Sequence, residues 1–476
     1  MKYSPRKLQI LEYSNKTNPG RDTWIQRNWY FYNEDTRYMK FLIPEGLRVL
    51  DLGCGTGHLL NALKPGFGVG VDFSKVMLDK ARNQYPGYTF ILGDIEDPDT
   101  ISQLPGPFDV IVLSDAIGEL DDCQASLERL HSVCTVDTRF IISYYNPIWE
   151  PLLALAEILH LKSPQSGLNW LSAKDIANML WLANFDLIKQ DWRQLIPRSM
   201  FGIGYVINRF VAPLPLIRLL CLRYYVVARS LEHNVVRDHS VTVLIPCRNE
   251  KENIENAIKR LPRFCQDMEI IFVEGHSKDE TLNEIQRVIG VYHELDIKVF
   301  VQQGIGKADA VRTGFASARG EILIILDADL TMPPEDLPKF YQAIVKGKGE
   351  FINGSRLVYP LEKDSMRLLN RFANKIFSWT FTYILNQRYT DTLCGTKVMK
   401  KKDYLKIEVN RSYFGEFDPF GDFDLIFGAS KQNLKVAEVP IRYASRSYGE
   451  SQISRMSHGW LLVKMVVFAY RKLKAF

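Results

Sequence analysis

The chain has 476 residues, 46% of them hydrophobic and 24% charged, with 60 basic against 55 acidic side chains and a net charge of +5. That length exceeds one ordinary domain and predicts two or three, while the balanced composition excludes a disordered or fibrous chain. The basic excess is small and no stretch interleaves basic with aromatic residues, which argues against nucleic acid as a partner.

Seven cysteines are scattered singly, with no CxxC pair, as in a reduced intracellular protein rather than a disulfide framework or a zinc site. The opening stretch MKYSPRKLQILEYSNKTNPG lacks an apolar core of signal-peptide length. No run of about 18 to 20 apolar residues predicts a transmembrane helix. A cytoplasmic protein, peripheral at the inner face of the membrane, is expected.

The first legible element is RVLDLGCGTGHLL (48–60), a short apolar strand that ends at Asp51, followed by Gly53, Gly55 and Gly57 and then a helix. Glycines after a strand permit a tight turn and close approach of a ligand to backbone. A dinucleotide fingerprint would need its third glycine where His58 stands, so the spacing suits a ligand without a pyrophosphate. The next strand, GVGVDF, ends at Asp72 and Phe73, where a carboxylate can accept hydrogen bonds from both hydroxyls of a ribose. YTFILGDIED then ends at Asp94 and Ile95, and FDVIVLSDAIGEL supplies Ser114, Asp115 and Glu119. Strand ends of this kind, in this order, predict a site for an adenosine-containing ligand.

Across roughly residues 25 to 200 these motifs resemble the class I S-adenosylmethionine-dependent methyltransferases. The resemblance implies a Rossmann-like fold that binds S-adenosylmethionine. It implies Asp51, Gly53, Gly55 and Gly57 beside the methionine portion, Asp72 and Phe73 at the ribose, Asp94 and Ile95 at the adenine, and Ser114 near the reacting methyl. Asp115 and Glu119 are the candidate bases; the methyl acceptor is not legible.

Residues 201–238 read as an amphipathic linker, because YVINRFVAPLPLIRLLCLRYYVV (205–227) is apolar but interrupted by Arg209, Arg218 and Arg223 and by two prolines. Domains at 1–200 and 239–476 follow.

The second half repeats the alternation of apolar strand and helix that marks α/β domains. VTVLIPCRNEKENI (241–254) is a strand, then Pro246, Asn249 and Glu250 at a polar turn; MEIIFVEGHSKDET ends at Glu274, with Ser277 and Asp279 beyond. A loop carries Lys307, and ILIILDADL ends in Asp327 and Asp329. Two carboxylates one residue apart at a strand end offer hard oxygen ligands to Mg²⁺ or Mn²⁺. Such a cation on a diphosphate neutralises charge that builds on a leaving group.

The whole of 240–476 resembles the family-two glycosyltransferases with a GT-A fold, and most closely the dolichyl-phosphate mannose synthases and bacterial polyprenyl-phosphate glycosyltransferases. IPCRNE, VEGHSKDET, GKADAV, LDADLTMPPEDL, NGSR, DTLCGTKV and EVPIRYASRSYGES carry it. It implies that Pro246, Asn249, Glu250, Glu274, Ser277, Asp279 and Lys307 lie at a nucleotide-sugar, and that Asp327 and Asp329 hold the metal and the donor diphosphate. Thr331 stands where much of that family has a metal-reaching glutamine. For an acceptor phosphate the candidates are Arg356 and Arg446, with Arg367 and Arg371 behind them, because arginine forks match phosphate oxygens. For a hydroxyl acceptor, Glu416, Asp418, Asp422 and Asp424 are the available bases.

The closing segment GWLLVKMVVFAYRKLKAF would put Lys464, Arg471, Lys472 and Lys474 on one side of a helix and apolar residues on the other. That pattern fits an interfacial helix or a terminal helix docked on its own domain, and a lipid-linked acceptor favours the first. The expected protein is therefore a fusion of two enzymes. One transfers a sugar, with inversion and a divalent metal, from a nucleotide-sugar to a polyprenyl phosphate; the other methylates an unidentified acceptor. The alternative is transfer to a soluble or glycan hydroxyl, with the first domain a cofactor-binding regulator.

Overall fold

The computed structural model describes residues 3–17, 20–159, 168–360, 368–413, 421–444, 448 and 455–475. The chain divides into two compact units, Met1–Asn234 and Val235–Lys474.

The first unit is built on seven strands: β1 Arg48–Leu52, β2 Phe67–Asp72, β3 Thr89–Leu92, β4 Val110–Ser114, β5 Arg139–Tyr145, β6 Phe185–Arg193 and β7 Arg223–Ser230. Their spatial order is β3-β2-β1-β4-β5-β7-β6. The first five are parallel and β7 runs antiparallel to both its neighbours. Leu50, Val69, Ile111, Leu113, Ile142 and Val226 meet in one core. β1, β2, β4 and β5 are near-continuous apolar runs, as parallel strands buried in a sheet are.

The linker expected over 201–238 is corrected here. Every residue of β7 is buried, and Tyr145 of β5 and Arg193 of β6 both lie in register with Arg223. A strand between two others is covered on both faces and so is apolar throughout, and that is why RYYVV resembles a membrane or linker segment in the sequence. The first unit thus reaches some thirty residues further than the expected boundary.

The second unit has β8 Val241–Cys247, β9 Met268–Glu274, β10 Asp296–Val301, β11 Ile322–Ile325, β12 Phe351–Ser355, β13 Lys397–Lys400 and β14 Val436–Pro440. They are ordered β10-β9-β8-β11-β13-β12-β14, with β13 antiparallel to β11 and β12. Val243, Ile245, Phe272, Ile324 and Val398 form its core. Because β8, β9, β10 and β11 are parallel, their carboxyl ends open on one edge, where open α/β sheets place ligands.

The seven cysteines are unpaired, and all but Cys265 are buried.

Candidate active sites

In the first unit the turn after β1 is drawn over the sheet edge by Gly53 and Cys54, whose N–H groups donate to Val71 O at 2.8 and 3.0 Å. Gly53 has φ +74°, and a Cβ there would lie 2.5 Å from the Cβ of Ala116; no other residue fits. Asp72 accepts the N–H of Gly55 and of Ser74, each at 2.8 Å, so it builds the cleft it borders. Asp51 is buried with Oδ2 lacking a hydrogen-bond partner. Burial, and then the charge of Asp72, raise its carboxyl to about 8. An orphaned carboxyl oxygen beneath a glycine turn fits a ligand that brings a cationic or hydroxyl donor, a cation drawing the group into its charged form, and S-adenosylmethionine carries both. Asp51, Asp72 and the three glycines are the residues that would hold it.

The residues predicted at the adenine stand in a setting the sequence did not disclose. Lys7, on the helix Pro5–Thr17, is buried and pairs with both Asp94 and Glu96. Arg6 beside it donates to Gly118 O at 2.7 Å and to Asp121 at 2.8 Å. Ser74 donates to Asn15 at 2.7 Å, and Phe73 meets Tyr3 edge to face with ring centroids 6.4 Å apart. The N-terminal helix is fastened along the strand ends that carry the predicted ribose and adenine residues.

Ser114, predicted near the reacting methyl, accepts from Ser143 at 2.9 Å, and Ser143 in turn accepts from Arg223 Nη2 at 3.0 Å. Arg223 is fully buried, pairing with Asp115 at 2.8 Å and with Asp35 at 3.0 Å. Its guanidinium also lies over the rings of Tyr145, Phe31 and Tyr225. Burial works against its charge, and the two carboxylates outweigh burial and hold it protonated. Asp115 is at φ +62°, an uncommon backbone for a non-glycine residue. Of the two candidate bases, Asp115 is therefore committed to a cation. Glu119 is raised to about 7 by burial and then by the charge of Asp72, a value suited to proton transfer near neutral pH.

In the second unit the turns after β8 and β9 are knitted together. Asn249, at φ +56°, receives Lys278 N–H on Oδ1 at 2.7 Å and donates its own N–H to Ser277 at 2.9 Å. Glu274 accepts the N–H groups of Ser277 at 2.6 Å and His276 at 3.1 Å. Asp279 accepts the N–H of Thr281 at 3.0 Å, and Glu250 N–H donates to Thr281 at 3.0 Å. Pro246 lies within β8, one residue from its end. The predicted nucleotide residues are thus brought to one edge, where several of them also shape the loops they occupy.

After β11, Asp327 Oδ1 accepts from Lys307 Nζ at 2.6 Å. Burial pushes the Asp327 carboxyl up, but Lys307 outweighs it and holds it below the ordinary range; Asp327 and Asp422 likewise keep Lys307 above its ordinary value despite burial. Asp422 stands 4.0 Å from Lys307 and 3.6 Å from the buried Lys397, with Oδ1 otherwise unpartnered. Gly395 lies against this cluster: a Cβ there would be 1.9 Å from Asp327 Oδ2 and 2.5 Å from Lys307 Nζ. Thr331 donates its hydroxyl and its N–H to Asp329 Oδ1, at 2.8 and 3.2 Å. It orients the second carboxylate and does not simply replace an absent ligand. Among the described residues no group of three or more His, Cys, Asp or Glu side chains is arranged for a metal. Two carboxylates completed by phosphate oxygens and water match the way Mg²⁺ is commonly held, so Asp327 and Asp329 fit that role.

Arg356 does not stand open to solvent. Its guanidinium forks onto the fully buried Asp391 at 2.6 and 2.8 Å and lies over the Tyr443 ring. Glu438 of β14 accepts Thr390 N–H at 2.7 Å and its hydroxyl at 2.9 Å, which positions the segment that carries Asp391. Asp424 pairs with Arg411 at 3.0 Å and Arg312 at 3.6 Å. Arg367, Arg446, Glu416 and Asp418 lie outside the described residues, as does the side chain of Arg371. The sequence reading missed Lys7, Asp35, Asp391, Gly395 and Lys397; only the DTLCGTK motif hinted at the last three.

The C-terminal helix Arg455–Ala469 exposes Trp460, Val463 and Val467 and buries Leu462, Met465 and Ala469. Lys474, expected on a basic solvent face, is instead fully buried, donating to Asn386 at 2.7 Å. The helix Leu368–Leu385 exposes Trp379 and Ile376, with Lys375 over the Trp379 ring. No described helix is long and apolar enough to cross a membrane.

Residues 242–406 match the family model described as glycosyl transferase family 2, and residues 43–201 match one described as a methyltransferase domain. The dolichol-phosphate mannosyltransferase of Pyrococcus furiosus is 29% identical over 218 residues, 45% of this chain and 59% of that protein. The undecaprenyl-phosphate 4-deoxy-4-formamido-L-arabinose transferase of Pseudomonas fluorescens is 24% identical over 226 residues, 46% of this chain and 61% of that one. The chain thus spans about three fifths of the length of these relatives. A SAM-dependent methyltransferase of Thermotoga maritima, a possible histamine N-methyltransferase, covers 46% of this chain and 99% of its own, with 17% identity and a TM-score of 0.36.

Proposed function

We propose that this chain, which carries a methyltransferase domain in its first unit and a glycosyl transferase family 2 domain in its second, transfers a sugar from a nucleotide-sugar to a polyprenyl phosphate at a membrane surface, and methylates a component of the same glycan or lipid pathway. The observation that carries the first half is the cluster of Lys307, Asp327, Asp329 and Asp422 at the carboxyl edge of β8 to β11. In this reading an oxygen of the acceptor phosphate attacks the anomeric carbon as the bond to the donor diphosphate breaks. The nucleoside diphosphate leaves with the electron pair and the sugar inverts. An acceptor phosphate is already ionised at neutral pH, so no proton has to be taken from it. That suits a site whose described carboxylates Asp422 and Asp424 are both paired with cations; a hydroxyl acceptor would need one of them free. Bound Mg²⁺ or Mn²⁺ would neutralise charge on the leaving diphosphate. Lys307 balances Asp327, Thr331 fixes Asp329, and Arg356, steadied by Asp391, keeps donors for a phosphate. Exposed Trp379 and Trp460 with lysines over their rings suit the membrane–water boundary.

The test is nucleoside diphosphate release from a panel of nucleotide-sugars with Mg²⁺ or Mn²⁺, with and without undecaprenyl phosphate. Lipid-dependent release is expected, with Arg446→Ala slowing it about tenfold or more while donor binding is kept. Release that ignores the lipid would transfer the reading to a soluble or glycan hydroxyl acceptor.

For the first unit, labelled methyl groups from S-adenosylmethionine should enter a membrane extract at a rate that rises with pH through about 7, as Glu119 loses its proton. Glu119→Gln should abolish that step and slow transfer about a hundredfold at pH 8. A profile unchanged in the variant would assign the base elsewhere, and cofactor binding without transfer would make the unit a sensor.

A further inference from the structure

We infer that the first unit seats on an anionic lipid bilayer through a face of its own, built from the helix Glu150–Ile158 and the segment 198–220. The helix buries none of its residues. At about 100° per residue, Leu152 and Leu155 share one side, and Glu150 and Glu157 fall on the opposite one. Leu152, Leu155, Ile158 and Leu159 are all exposed. The segment 198–220 lies beside its start: Trp149 Nε1 donates to Leu220 O at 2.7 Å, and Asn146 to Leu219 O at 2.8 Å. Along that segment Phe201, Ile203, Val206, Phe210, Leu216 and Leu220 are exposed, Phe201 completely and Leu216 by 80%. Met200, Phe201 and Gly202 all have positive φ, as does Leu216, so the chain turns sharply at points that push apolar side chains outward.

Charge decides what covers this surface. From residue 192 through 231 the chain has no aspartate or glutamate, while Arg198, Arg209 and Arg218 punctuate the apolar residues. The helix turns Glu150 and Glu157 away from Leu152 and Leu155, and a protruding aliphatic and aromatic surface with a cationic border suits insertion among acyl chains under anionic headgroups. Surfaces this apolar on a water-facing domain mark an interaction site. A methyltransferase unit held at the bilayer meets an acceptor that is itself membrane-borne. The inference goes beyond the reading of the second unit and does not depend on what that unit transfers.

The test uses the full chain with Phe201→Cys and Cys265→Ser, labelled with nitrobenzoxadiazole; the other cysteines are buried. Mixing with vesicles of phosphatidylglycerol and phosphatidylethanolamine is expected to brighten the probe severalfold and shift it to the blue. The response should weaken with neutral phosphatidylcholine vesicles or added salt. It should persist when Trp379→Glu and Trp460→Glu remove the second unit's contact, and Leu216→Cys should report the same. Phe201→Glu with Val206→Glu should lower co-sedimentation of the Trp379→Glu, Trp460→Glu chain about tenfold. No change at either labelled position, or a change that follows protein concentration without vesicles, would overturn the inference. The second result would make the face a contact between copies. Failure of lipid-dependent sugar transfer would leave the probe response unaffected, so the two readings fail separately.

Discussion

Asp329→Ala is expected to lower sugar transfer about a thousandfold or more while leaving the protein folded. A cation bridging a diphosphate contributes several kcal/mol to transition-state stabilisation, and about 4 kcal/mol corresponds to three decades in rate. Asp329 is half-buried at the edge of the site and is oriented by Thr331, so its removal opens no core cavity. Asp327 is the poorer test, because its loss strands Lys307 beside the binding edge without its 2.6 Å partner. The measurement is nucleoside diphosphate release at saturating donor, with melting temperature as the control. Turnover near the wild-type rate in Asp329→Ala would remove the carboxylate pair from the reaction. Unchanged melting with lost turnover would place it in the chemistry.

The second large effect belongs to the first unit. Arg223→Met should destabilise that unit by about 3 to 5 kcal/mol, because it leaves Asp35 and Asp115 without the cation that both share. For a unit of this size that is a fall of about 10 °C in melting temperature. The two units need not melt together, so calorimetry should show one transition moving and one unmoved. Methyl transfer should vanish with it, since the same guanidinium reaches Ser143 and, through it, Ser114. Sugar transfer should survive. A shift under about 3 °C would mean that the buried network contributes nothing net to folding.

What the sequence disclosed was local. β1, β2, β9 and β11 are apolar runs that end in or lead into acids or glycines, and their order alone predicts two α/β sheets with ligands at the strand ends. Asp327 and Asp329 are visible because only Ala328 separates them in the chain. What it hid was nonlocal. Arg356 and Asp391 are thirty-five residues apart and Lys7 and Asp94 eighty-seven, and no spacing rule links such partners. β7 failed for another reason: its apolar run fits a buried central strand, a linker or a membrane-surface segment equally well until its neighbours are known. Lys474 misled because a lysine near a chain end is usually solvated, and here Asn386 and the Tyr383 ring take it in.

The position of β7 between β5 and β6 also bears on how the chain leaves the ribosome. The strand that joins them in space is the last of the first sheet to be synthesised, and the long segment after Arg193 comes out before it. Until Ser230 has cleared the exit tunnel, β5 and β6 each present an unpaired edge, the kind of surface that nascent chains lose to aggregation. A fragment ending near residue 201, where the methyltransferase match stops, would keep those edges permanently. Anyone expressing the first unit alone should carry it through Asn234.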